Sequence, residues 1–314
     1  MLRKIAVIGA GTMGHAIAGC FALHGYPVSV YENFDEMRNN CKSRIRTQYQ
    51  FMYQEGVLAE HVIDESLANI TMFSELEKAV QEADYVIEAI PEIPALKQEL
   101  FHQLCNYCKK DTIFASNTSS IPFSVLTEKL PEEEKARVMV CHWYNPAHLI
   151  PLVELSCFGN MPQERYQEVE QLYRSIEKRP AKVLKDIPGL LANRIQQGIA
   201  REVFSLMEMG AAEAADIDTA LKYGPAFRYA TTGQLEVADF GGIDIWCTVG
   251  DNLLAVMDNS DKASPLLRQK VEEGKLGFKT GEGFFQYPKD TKQSTQDAFN
   301  KRLLQQLQAS KNYD

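Results

Sequence analysis

The chain has 314 residues, 45% hydrophobic and 24% charged, with a net charge of −9. At roughly 150 residues per domain this is about two domains, each able to bury a core without disulfides. Collagen-like, disordered and disulfide-scaffold classes are excluded by composition, and the acidity argues against nonspecific binding to nucleic acid or anionic membrane. The seven cysteines are odd in number and irregularly spaced, so reduced thiols are expected rather than a disulfide framework. Cys105 and Cys108 form a lone CxxC with no second pair to complete a zinc site, and no metal is expected. No run of about 18 apolar residues exists to span a membrane. A strand pattern starting at Lys4 or Ile5 leaves no room for a cleavable leader, so a cytoplasmic protein is expected.

In chain order, Ile5–Ile8, Val28–Tyr31, Tyr85–Glu88, Thr112–Ala115 and Val138–Cys141 read as short buried strands. Helical patterns lie between them: Thr12–His24, Phe34–Gln54, one opened by the capping-box spacing of Ser74-Glu75-Leu76-Glu77, and Ala95–Cys108. The alternation predicts a doubly wound parallel sheet with helices on both faces. After Asp186-Ile187-Pro188-Gly189 the chain turns helical, with segments expected at Leu190–Met209, Glu213–Tyr223, Ile245–Met257, Pro265–Glu273 and Thr295–Ala309. The expected organisation is an α/β Rossmann-type domain over 1–186 and an all-α domain over 187–314.

Gly9-Ala10-Gly11-Thr12-Met13-Gly14 joins the first strand to the first helix. In such a GxGxxG turn the first glycine makes the tight turn, the second admits a pyrophosphate, and the third lets helix and strand pack. The helix N-terminus then presents unpaired N–H groups to the phosphates. Glu32, at the end of the second strand, is placed to accept from ribose hydroxyls and to repel a 2′-phosphate, which predicts NAD over NADP.

Two polar segments follow the fourth and fifth predicted strands: Ser116-Asn117-Thr118-Ser119-Ser120, and His142-Trp143-Tyr144-Asn145-Pro146 running on to Leu152-Val153-Glu154. Oxidising an alcohol by hydride transfer requires a base for the hydroxyl proton, a role suited to histidine near neutral pH. A carboxylate such as Glu154 would fix the tautomer of His142 and stabilise its protonated form. Ser119 offers a hydroxyl to the substrate oxygen.

These segments, together with Glu88–Glu92, DIPGLLANRI, Ala215–Gly224, Leu235–Asp244 and Lys275–Phe285, resemble the 3-hydroxyacyl-CoA dehydrogenase family over nearly the whole chain. The resemblance implies a helical second domain of the 6-phosphogluconate dehydrogenase C-terminal type, a homodimer formed through it, and an active site in the interdomain cleft. It makes His142 the general base, Glu154 its partner, Ser119 a substrate contact and Asn193 a residue near the substrate. The cofactor set it implies is Gly9, Gly11, Thr12, Met13, Gly14, Glu32, Asn117, Glu92 and Lys97, the last two at the nicotinamide half. Asn145 is a further candidate substrate contact.

The substrate is read first as a short-chain L-3-hydroxyacyl-CoA. Two features point instead to relatives acting on free hydroxy acids: gulonate, carnitine and pyridine carboxylate dehydrogenases. The stretch 47–55 holds no lysine or arginine where short-chain CoA enzymes carry a Lys-rich run, leaving Arg38, Lys42, Arg44 and Arg46 as the substitutes. Arg228 could clamp a carboxylate through paired hydrogen bonds.

Overall fold

The computed structural model describes residues 2–313. The chain divides into two compact units, one ending at Leu191 and one starting at Ala192. Residues 187–191 therefore fold with the first unit. There Asp186 accepts from the Phe123 amide and Glu154 from the Leu191 amide.

The first unit is built on strands β1 (Ile5–Ile8), β2 (Val28–Tyr31), β3 (Ile70–Phe73), β4 (Tyr85–Glu88), β5 (Ile113–Ser116), β6 (Val138–Trp143), β7 (Leu152–Ser156) and β8 (Arg179–Val183). They form one sheet in the order β3-β2-β1-β4-β5-β6-β7-β8. All pairs through β6 are parallel, β7 runs antiparallel to β6, and β8 is parallel to β7. The sheet thus departs from the all-parallel expectation at β7. Strands β3, β7 and β8 are additional to the five expected from sequence. β3 is short and two of its residues are only partly buried, while β8 carries Arg179, Pro180 and Lys182, so neither shows a clear apolar pattern.

Helices α1 (Gly14–Leu23), α2 (Asp35–Gln54), α3 (Glu60–Ala68), α4 (Leu76–Val80), α5 (Pro94–Tyr107), α6 (Phe123–Leu126), α7 (Glu132–Lys135) and α8 (Gln163–Ser175) connect the strands. Side chains alternate across the sheet as the pleat requires. Ile5, Val7, Tyr85, Ile87, Met139 and Cys141 pack with α1, α2, α3 and α8 on one face. Ala6, Ile8, Val86, Phe114, Val138 and Val140 pack with α4, α5 and α6 on the other. The capping box expected at Ser74–Glu77 does not form. Glu75 is the N-cap of α4 without a side-chain cap bond, and its carboxylate pairs with Lys78 at 2.7 Å.

The second unit contains α9 (Ala192–Glu208), α10 (Ala214–Tyr223), α11 (Pro225–Tyr229), α12 (Gly233–Gly241), α13 (Ile243–Leu253), α14 (Pro265–Glu272) and α15 (Lys292–Ser310). Gly210 takes a left-handed φ of 64° just beyond α9, where an L side chain would be strained. No described helix is long and apolar enough to cross a membrane.

Candidate active site

The glycine turn is held closed by its own backbone. A Cβ on Gly14 would lie 1.8 Å from the Gly9 carbonyl oxygen, so α1 can start there only with glycine. Gly9 has φ +93°, and a Cβ on it would sit 3.0 Å from Ala89 O. Gly11 differs: the nearest atom to an added Cβ is Met37 Cε at 3.8 Å, an ordinary contact. A side chain at Gly11 would therefore fill space beside the turn rather than clash with protein. That space is a cavity of about 340 Å³ lined by Gly9, Gly11, Thr12, Met13, Tyr31–Phe34, Met37, Ala89–Pro91 and Asn117. Glu32 is 5% exposed, and its two oxygens accept from the Ala10 amide at 2.9 Å and the Phe34 amide at 3.0 Å. A negative rim, a bare backbone turn and a helix N-terminus around one cavity suit a dinucleotide with a free ribose diol.

His142 and Glu154 face each other as direct cross-strand partners of β6 and β7. The antiparallel return of β7 is what brings the two side chains together, since neighbours across a strand pair share a face. His142 Nδ1 lies 2.9 Å from Glu154 Oε2, with the histidine 7% and the glutamate 0% exposed. The buried carboxylate calls for a proton on Nδ1, which leaves the Nε2 lone pair as the base. Glu154 is itself held: the Leu191 amide donates to Oε1 at 2.7 Å and the Tyr144 hydroxyl to Oε2 at 3.4 Å. The Tyr144 ring stands 4.8 Å from the imidazole, centroid to centroid.

The serine segment leaves the carboxyl end of β5, the strand next to β6. Asn117 lines the cofactor cavity, and its Oδ1 accepts from the Trp143 amide at 2.8 Å, tying the cavity wall to the strand of His142. Glu92 Oε1 accepts from Thr118 Oγ1 at 2.5 Å, the Ser119 amide at 3.0 Å and the Ser120 amide at 3.2 Å. Lys97 is 1% exposed and lies 2.6 and 2.9 Å from the two oxygens of Glu88 and 3.2 Å from Glu92 Oε2. Partial burial raises the carboxyl pKa of Glu92, but the Thr118 hydroxyl, the Lys97 charge and the Ser119 amide outweigh it and hold it below the usual range.

Asn193 stands in the first turn of α9 and Arg228 on the exposed face of α11, both in the second unit. Asn145 is exposed and precedes a cis proline, Pro146. The four cations of α2 are all engaged within the fold. Arg38 donates to Glu32 O at 2.9 Å and pairs with Asp35. Lys42 donates to Leu67 O at 3.0 Å and Arg44 to Ala10 O at 3.0 Å, while Arg46 pairs with Asp64 at 2.6 Å.

The NAD binding domain of 3-hydroxyacyl-CoA dehydrogenase matches residues 4–187, and the C-terminal domain of the same enzyme matches 189–287. The chain belongs to the 3-hydroxyacyl-CoA dehydrogenase family. It is an NAD-dependent oxidoreductase of that family. It is 31% identical over 293 residues to 5-formyl-3-hydroxy-2-methylpyridine 4-carboxylate 5-dehydrogenase of Mesorhizobium japonicum, covering 93% of each chain. It is 33% identical over 285 residues to a probable 3-hydroxybutyryl-CoA dehydrogenase of Deinococcus radiodurans, covering 90% of this chain and 100% of that one. A solved structure of a 5-formyl-3-hydroxy-2-methylpyridine 4-carboxylic acid 5-dehydrogenase, described as an NAD+-dependent dismutase, superposes with TM-score 0.90 at 29% identity, covering 100% of both chains. The (S)-3-hydroxybutyryl-CoA dehydrogenase of Ralstonia eutropha gives 0.74 at 29% identity, covering 92% of this chain and 100% of that one.

Sequence reasoning passed over Glu88, Thr118 and Lys178. Glu88 had a legible signal: a carboxylate ending a wholly buried strand must have a partner. Thr118 and Lys178 had none, because their partners come from distant segments. Lys178 Nζ donates to Ala147 O at 2.5 Å and Ile150 O at 2.9 Å, beneath the loop joining His142 to Glu154.

Proposed function

We propose that the chain oxidises a hydroxyl on a small free carboxylate, with His142 as general base and Glu154 as its partner. The observation that carries the substrate class is the engagement of Arg38, Lys42, Arg44 and Arg46 in the fold. Three of these donate to backbone carbonyls and would give up those bonds on turning to a CoA phosphate. This reverses the order read from sequence, where the thioester came first. The pyridine carboxylate enzyme, similar along the full chain, supports the same choice. The probable 3-hydroxybutyryl-CoA dehydrogenase, at 33% identity, keeps a short-chain thioester as the second reading.

The bound nicotinamide would supply the hydride acceptor, and the chain's residues do the rest. Gly9, Gly11, Thr12, Met13 and Gly14 face the dinucleotide, Glu32 its ribose hydroxyls, and Asn117 the inner end of the cavity. His142 Nε2 takes the hydroxyl proton as C–H breaks, and the buried Glu154 stabilises the imidazolium that results. In reverse the same nitrogen returns the proton to the developing alkoxide. Ser119 meets the substrate oxygen, with Asn145 and Asn193 as further substrate contacts. Arg228 is the cation for the carboxylate: among the described residues its guanidinium forms no hydrogen bond or ion pair within its own unit. The second unit forms a homodimer through the exposed apolar side chains of α11–α13, and seven free cysteines suit a reducing compartment such as the cytosol.

NADH formation with 3-hydroxybutyrate, carnitine, gulonate and hydroxymethyl-pyridine carboxylates, against NADH consumption with acetoacetyl-CoA, tests the substrate class. Turnover of a free acid, with its KM raised about tenfold or more in Arg228→Ala, is the expected result. Turnover confined to the thioester would overturn it.

A further inference from the structure

Three side chains from α1 and α2 converge on the backbone of the glycine turn. Arg44 and Gln48 stand four residues apart in α2 and so share one face of it. Arg44 Nη1 donates to Ala10 O at 3.0 Å. His15, in the first turn of α1 and 5% exposed, sets Nδ1 2.6 Å from Gly11 O. A carbonyl only accepts, so Nδ1 carries the proton, and in the neutral ring Nε2 keeps the lone pair. Burial, joined by the charge of Arg44, lowers the His15 pKa against the pull of the Gly11 carbonyl and favours that neutral ring. The Gln48 amide nitrogen meets the lone pair at 3.0 Å and holds the imidazole in place.

A trans peptide unit is planar, with its C=O and N–H pointing opposite ways. Arg44 grips the carbonyl of the Ala10–Gly11 unit, which turns the Gly11 N–H to the other side. His15 grips the carbonyl of the Gly11–Thr12 unit and does the same for the Thr12 N–H. The preceding amides are spent within the fold: Gly9 donates to Tyr31 O at 2.8 Å and Ala10 to Glu32 Oε2 at 2.9 Å. The Gly11, Thr12 and Met13 amides donate to none of the described residues, and all three residues line the cofactor cavity. The carbonyls of the turn are thus held by protein, and its next three N–H groups are left for an anion at the start of α1.

We propose that His15 and Arg44 are positioning residues for the cofactor: by holding the Gly11 and Ala10 carbonyls they aim the Thr12 and Gly11 amides at the pyrophosphate. The middle of the turn needs such a hold. Gly9 and Gly14 are locked by close contact with backbone, but the space around Gly11 is open, with the nearest atom 3.8 Å from an added Cβ. Glycine also has the widest conformational freedom of any residue, so steric contact alone does not fix the two peptide units that flank it. The two side-chain bonds supply what sterics do not. The one from Arg44 is charge-assisted, a stronger kind than a bond between neutral groups. Gln48 acts a step further out, through the tautomer and orientation of His15.

Calorimetric titration with NADH and with ADP-ribose tests it, because both ligands carry the pyrophosphate and only NADH carries nicotinamide. His15→Ala and Arg44→Met are each expected to raise both Kd values about tenfold. His15→Asn, whose amide nitrogen takes the place of Nδ1 and can donate to the same carbonyl, restores most of the affinity lost. Kd values within about twofold of the parent in either His15→Ala or Arg44→Met would overturn the proposal. So would a weakened NADH with ADP-ribose unchanged, since the effect would then lie away from the pyrophosphate. An equal loss in His15→Asn and His15→Ala would overturn it as well, because disturbed packing rather than a lost carbonyl bond would be the cause. Neither ligand requires a substrate, so a failure of this proposal and a failure of the substrate class are told apart.

Discussion

The two units treat charge and apolar surface in opposite ways. In the first, Glu88, Lys97, His142 and Glu154 are each less than a tenth exposed, and each is matched with a partner of the right chemistry. In the second, Leu235 and Phe240 are 85% exposed and Val256 77%, while only Ile217, Val237 and Leu304 are buried among its described hydrophobic residues. Burying a charge without a partner costs several kcal/mol, so the first unit's networks exist only because its own core holds every member in place. The second unit leaves apolar helix faces exposed, the surface on which the proposed homodimer rests. One unit spends its core on fixing charged groups in place; the other leaves its apolar side chains at the surface.

The sharpest way to break this contrast is at the site. His142→Ala should lower turnover by about a hundredfold to ten-thousandfold while NADH titration stays near the parent value, because His142 does not line the cofactor cavity. Near-normal turnover would remove the general base assignment.

Acid offers a second test, because all six histidines lie between residues 15 and 148, in the first unit. Burial, reinforced by the charges of Lys178 and His15, pushes His148 down to about 4, and burial likewise lowers His15. The folded chain then stays neutral at His148 while the unfolded chain takes up a proton below about 6.5. Stability is full above that pH and is lost as pH falls toward 4, by about 3 kcal/mol for this group. Thermal melting followed from pH 7 to pH 4 should show the decline, and His148→Phe should flatten part of it. A parent profile without slope in that window would overturn the assignment. The second unit has no histidine to contribute to the loss.

The smallest effect on the individual chain, and the one that sharpens the contrast most, is expected at α12. On the proposed homodimer, Leu235→Asp and Phe240→Asp should leave secondary structure unchanged and halve the mass seen by light scattering. Retention of the parent mass in both variants would mean that this face is not the dimer contact.

Local patterns in the sequence placed five of the eight strands, most of the long helices and the glycine turn, because strand alternation, helix periodicity and glycine chemistry act over a few residues. Ile5–Ile8, Val28–Tyr31 and Tyr85–Glu88 carry the bounds expected of them. The turn into α1 follows from Gly14, where steric conflict with Gly9 admits no other residue. β8 was not legible because Arg179, Pro180 and Lys182 give it no apolar alternation, and only pairing with β7 makes it a strand. At the site, His142 and Glu154 stand out as residues in the sequence, but twelve positions of chain separate them.

The residue types, the dinucleotide turn with its acidic rim, and membership of a dehydrogenase family are thus fixed by the order of amino acids alone. Tertiary structure decided what each charged group is spent on. The antiparallel return of β7 sets Glu154 against His142. The meeting of β4, α5 and the segment after β5 sets Lys97 between Glu88 and Glu92, and Glu92 against the Ser119 amide. The packing of α2 over the glycine turn and α3 commits Lys42, Arg44 and Arg46, which the sequence had left open for phosphate. Each of these is a contact between segments far apart in the chain, and a hydrogen bond of about 3 Å depends on where the whole core places its ends, which no local pattern encodes.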